Sequence, residues 1–153
     1  MSFYLAVGIP PQLVSKLRES LDSQIYIGDV TDFPIGRATT RGRSSWVAYT
    51  LQIGSSSASL VGKGAIRRTH NNDKSALLIS GVEALLGCEN VPSITLLLHW
   101  MSGWIQNEEV HATCEERVRI ENLPETVETM QSDVRYIVCG NSSSATGSEM
   151  TTL

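Results

Sequence analysis

Residues 70–98 constrain the fold most. Asn71 and Asn72 are strong helix-capping residues, whose side-chain oxygens can accept from unpaired N–H groups of a first helical turn. After them Leu78, Val82 and Leu85, with Leu77 and Leu86 alongside, recur at helical spacing and predict one buried stripe over Ala76–Leu86. Ile94–Leu98 follows as an apolar run, and a strand candidate, Ala58–Ile66, precedes the helix. A strand–helix–strand unit favours parallel pairing with the helix packed on the sheet, so the fold class expected is α/β.

The rest of the chain fits that frame. Pro10-Pro11 suits the start of a helix, and Leu13, Val14, Leu17 and Leu21 give Pro11–Ser23 one apolar face. This predicts an N-terminal helical extension over 1–23, before a domain over 24–153. Gln24–Asp29 reads as a strand ending at an acidic residue, and Phe33–Ser45 as a loop. Trp46–Ile53 and Ala58–Ile66 read as an antiparallel hairpin. Met101–Gln106 suggests a short helix, and Trp100 and Trp104, four apart, would share a face on a helix. Pro124–Gln131 is expected to be helical, with Asn122 as its cap, and Val134–Cys139 to be a strand.

A chain of 153 residues is long enough for one domain with a sizeable core. Its net charge of −4 excludes a polycation, but the charge is uneven. Arg37, Arg41, Arg43, Lys63, Arg67, Arg68 and Lys74 cluster against Asp73 alone, whereas 108–133 is acidic. Two differently solvated faces would explain this; so would a basic rim for a phosphate backbone. Cys88, Cys114 and Cys139 have no metal-ligand spacing and read as reduced, mostly buried thiols in a reducing compartment. His70, His99 and His111 also lack metal spacing. The apolar start Met1–Ile9 is too short for a signal peptide or a membrane span, so an intracellular protein with no membrane contact is expected.

The order of these elements resembles the type 1 ribonuclease H fold over Gln24–Leu153. The words that carry the likeness are Ile25-Tyr26-Ile27-Gly28-Asp29, the helix start His70-Asn71-Asn72-Asp73-Lys74-Ser75, Ile94–Leu98 with His99-Trp100, and Val134–Cys139 with Gly140-Asn141-Ser142-Ser143. The resemblance implies a mixed five-stranded sheet with helices on both faces. It also implies catalytic carboxylates at positions that here read Asp29, Ser75, His99 and Thr151, with Asn141 in place of an assisting histidine.

Ribonucleases of that type cut RNA with two divalent cations roughly 3.5–4 Å apart. Hard cations want charged oxygen ligands, and only Asp29 supplies one. Glu83 lies about 12 Å along the helix from Ser75, too far to substitute. Asp32, Asp73 and Glu149 are the other off-register carboxylates.

The chain is therefore expected to be a catalytically degenerate, ribonuclease H-like binding or scaffolding module. It would take RNA or an RNA/DNA hybrid through Arg37, Arg41, Arg43, Asn71 and Asn72, with no metal bound, and a reverse-transcription-related assembly would be one setting for it. One alternative is a divergent hybrid-cutting nuclease using Asp29 with magnesium or manganese. Another is a structural subunit that meets a protein partner through the N-terminal helix or the acidic 108–133 segment.

Overall fold

The sheet is built around a strand that the helical reading of the N-terminus missed. In the computed structural model, which describes residues 2–61, 74–87 and 91–140, β1 (Ser2–Ile9) lies inside a six-stranded sheet. From Leu5 to Ile9 every residue is buried. Leu5, Val7 and Ile9 enter one core and Ala6 the other, the two-residue alternation of a strand covered on both faces. A continuous apolar run stopped by Pro10-Pro11 is what such a strand looks like in sequence. The expectation of a helical extension over 1–23 is thus corrected.

The remaining elements are α1 (Val14–Ser20), β2 (Tyr26–Asp29), α2 (Pro34–Thr39), β3 (Val47–Gln52), α3 (Ser75–Leu86), β4 (Ser93–Met101), β5 (Cys114–Arg119), α4 (Leu123–Thr129) and β6 (Val134–Cys139). The strand order is β2-β3-β1-β4-β6-β5. All neighbours pair antiparallel except β5 and β6. Both β3 and β4 run antiparallel to β1, so they are parallel to each other with β1 between, and α3 lies on the connection.

The architecture is α/β with a mixed sheet, but of six strands rather than the expected five. Helices do cover both faces. Leu13 and Leu17 at α1, Leu78, Val82 and Leu85 of α3, and Leu123 and Val127 of α4 share one core with Leu96 and Leu98. The other core is small: Ile35 and Ala38 of α2 with Ala6, Ala48, Leu97 and Met101. The apolar face of the N-terminal helix is therefore used within the fold.

Several local expectations change. The turn after β3 closes with an Ile53–Ser56 bridge, and Ala58–Leu60 is a 3-10 turn rather than the start of a second hairpin strand. Residues 62–66 of that expected strand lie outside the described residues. Lys74, not an asparagine, occupies the N-cap of α3, and its N–H donates to Ser59 O at 2.9 Å. Residues 102–113 are irregular, so Trp100 sits in β4 and shares no helix with Trp104. Cys114 is exposed rather than buried.

The stretch 33–45 is not only loop, because α2 occupies Pro34–Thr39. Proline at the first helical position was its signal. Gly36 obscured it, since glycine costs a helix interior about 1 kcal/mol relative to alanine. Packing demands that glycine: a Cβ at Gly36 would overlap the Val30 carbonyl oxygen. At Gly8 a Cβ would overlap Thr95 Oγ1, beneath the end of the same helix.

Gly36→Ala sets a propensity gain of about 1 kcal/mol against an overpacking cost of about 1–3 kcal/mol. The clash is with backbone, which cannot rotate away, so the cost is expected to win. Thermal unfolding of the variant should show a Tm several degrees lower; an unchanged or higher Tm would contradict this packing.

Candidate functional site: an arginine-lined pocket

The short helix α2 sits on the sheet by its C-terminal turn, where helix carbonyls lack intrahelical partners. Two of these carbonyls accept from sheet side chains. Arg135 Nε donates to Ala38 O at 2.8 Å, and Thr95 Oγ1 donates to Thr39 O at 2.9 Å. Arg135 is the second residue of the otherwise apolar run Val134-Arg135-Tyr136-Ile137-Val138 and is buried at 7 % exposure. Buried arginines are paired or ligated, because an isolated charge away from water is costly. Its Nη1 faces Glu115 Oε1 at 3.4 Å, across the parallel Glu115–Arg135 register.

A guanidinium carries five N–H groups. One is spent on Ala38 and one is aimed at Glu115, so three have no acceptor among the described residues. Arg135 is one of the residues that line a pocket of about 290 Å³, with Pro34, Arg37, Ala38 and Arg41 on one side and Glu109, Val110, His111 and Ala112 on the other.

The sequence-predicted arginines meet here. Arg37 and Arg41 line the pocket. Arg37 Nη1 donates to the Asp32 carbonyl, a neutral partner. Arg41 is exposed and makes no ion pair among the described residues. Arg43 stands beside the pocket, with Nη2 at 3.6 Å from Glu115 Oε1 and its guanidinium 5.7 Å from the Trp46 ring centroid. A single carboxylate, Glu115, thus serves two arginines, and positive charge is left in surplus.

The wall opposite α2 is fixed by His99. Its Nδ1 lies 2.7 Å from Asp133 Oδ1 and its Nε2 lies 2.6 Å from Glu108 Oε2. Carboxylates only accept, so both bonds form together when both ring nitrogens carry hydrogen. Glu108 also accepts from the backbone N–H groups of Ser102 and Gly103 and from Ser102 Oγ. The His99 bond foremost, then these donors, against an opposing effect of burial, pull the Glu108 carboxyl from its ordinary 4.5 down to about 2. Asp133 holds a left-handed backbone, φ 63°, with its N–H on Leu98 O at 2.7 Å and its carbonyl accepting from Thr113 N at 2.6 Å. One imidazole therefore ties together the residue before Glu109 and the turn that leads into Arg135.

The other sequence-predicted site residues do not gather. Asp29 is exposed at the end of the edge strand β2, where Oδ1 accepts from Thr31 N and Thr31 Oγ1 in a local turn. His99 is three strands away, about 14 Å at ordinary strand spacing. Ser75 opens α3. His70, Asn71, Asn72, Asp73, Asn141, Glu149 and Thr151 lie outside the described residues. Among the described residues no group of three or more His, Cys, Asp or Glu side chains is arranged to hold a metal ion. None of their helices is long and apolar enough to cross a membrane.

Sequence reasoning missed Arg135, Glu115 and the carboxylates around His99. For Arg135 the signal was present, since a lone charge inside an apolar strand run demands a partner. No family model, curated protein or solved structure matches the chain.

The depressed Glu108 carboxyl fixes a sign. Its stabilising effect is complete above about pH 4.5 and is lost as pH falls toward 2. Glu108→Gln should flatten the fall of stability with pH in that window, measured by denaturant unfolding at a series of acid pH values. Parallel curves for variant and wild type would contradict the His99–Glu108 bond.

Proposed function

We propose that the chain is a non-catalytic nucleic-acid-binding module whose binding surface is the pocket between α2, residues 109–112 and β6. The carrying observation is the buried Arg135, with guanidinium N–H groups that meet no acceptor among the described residues, lining a pocket that Arg37 and Arg41 also line. Phosphate oxygens are the common ligand of such groups, because the planar fork of donors matches them and the hydrogen bonds are charge-assisted. Among the described residues the pocket presents no activated nucleophile. His99 has both ring nitrogens engaged, so it has no free nitrogen to act as a base.

The pocket supports this reading without any kinship to the ribonucleases H. Charge is the second support. A chain of net charge −4 does not attract polyanions as a whole, so an attraction must be local, and Arg37, Arg41 and Arg43 supply it on one face. The acidic segment 108–133 begins at the opposite wall of the pocket and runs on through β5 and α4.

Single-stranded RNA should bind with an affinity that falls as salt rises. Replacing Arg37 and Arg41 by Ala should weaken binding and lower the slope of log K against log salt by about 0.7 for each phosphate no longer neutralised. Fluorescence anisotropy over a salt series reads both, and a slope unchanged in the double variant would overturn the assignment. With manganese or magnesium present no cleavage of an RNA/DNA hybrid is expected. Cleavage abolished by Asp29→Asn would restore the nuclease reading.

A further inference from the structure

We infer that this pocket takes a terminal phosphomonoester, rather than a phosphodiester within a strand. The inference deepens the nucleic-acid-binding proposal and rests on it. Size favours it first. A space of about 290 Å³ equals roughly ten water molecules' share of liquid volume, near the lower limit of small-ligand pockets. It suits a phosphate with its sugar and is far too small for a duplex.

The number of donors and charges points the same way. A phosphomonoester carries about −1.5 to −2 charges at pH 7 and three strong acceptor oxygens. An internal phosphodiester carries one charge and two non-bridging oxygens. The unused donors of Arg135, with the Arg37 and Arg41 guanidinium groups on the adjoining wall, answer to the former. Arg135 is itself more than nine-tenths buried, so its donors cannot be satisfied by moving out to bulk water.

The route of the strand is also one-sided. A strand held by an internal phosphate needs two exits. On the α2 side the surface continues through the exposed Arg41. On the opposite wall it meets the exposed carboxylate of Glu109. A polyanion crossing that rim is repelled, whereas a strand that ends in the pocket leaves by the basic side alone.

The shared ligand chemistry has two sources, a strand end or a free nucleotide. The test uses the whole chain and an internally labelled single-stranded RNA of ten nucleotides, made with a 5′-phosphate, with a 3′-phosphate, and with hydroxyls at both ends. Anisotropy is expected to show one phosphorylated strand bound at least tenfold tighter than the dihydroxyl strand. Arg41→Ala and Arg135→Lys should each reduce that preference to about twofold or less. Arg41 is exposed, so its variant decides the matter should Arg135→Lys fail to fold.

A nucleoside monophosphate that competes as well as the strand makes a free nucleotide the ligand; failure to compete makes it the strand end. Equal binding of all three strands, still dependent on Arg37 and Arg41, overturns the end preference but leaves the nucleic-acid proposal standing. A preference that survives both variants places end recognition outside this pocket and overturns the inference, while the nucleic-acid proposal stands. No binding of any strand removes both.

Discussion

The hydrogen bond from Arg135 to the Ala38 carbonyl holds the site together. It runs from a side chain inside the sheet to the last turn of a six-residue helix, too short to persist on its own. Thr95 makes the same kind of bond to the next carbonyl. Between them the two donors cap α2 from below, and glycines at 8 and 36 let the helix come close enough to be capped. If α2 moved, Arg37 would leave the pocket and Arg135 would lose its buried acceptor. Fold and binding surface thus share one hydrogen bond.

The opposite wall depends on a second polar centre. His99 lies on the same face of β4 as Thr95, bracketed by Glu108 and Asp133. These two residues sit at the ends of segments that deliver His111 and Arg135 to the pocket. The irregular segment 102–113 has few apolar anchors, chiefly Val110 and Ile105. Charge-assisted bonds to a partly shielded imidazole take the place of hydrophobic packing there. That gives the wall a defined position, and makes it sensitive to acid.

The helices α1 and α3, with their periodic apolar stripes, and α4, marked by Pro124 and the Asn122 cap, fall close to the segments expected, as do β2, β3, β4 and β6. What escaped was set by tertiary context. β1 has no alternation because both faces are buried, so a period-two pattern could not reveal it. α2 carries a glycine and only six residues, and it exists because the sheet caps it. β5, Cys114–Arg119, is mostly charged and exposed at an edge, and parallel pairing to β6 makes it a strand. The basic cluster at 37–43 was readable as a patch. That Arg135, almost a hundred residues later, completes it follows only from a register no local pattern contains.

The most direct measurement of the account is the side-chain NMR of Arg135 during titration with a 5′- or 3′-phosphorylated trinucleotide. If unsatisfied buried donors make this pocket an anion site, the guanidinium ¹⁵N–¹H resonances of Arg135 shift and sharpen on binding, while those of exposed Arg18, on α1 across the sheet, stay in place. A strand that binds while the Arg135 resonances remain where they were would contradict the account.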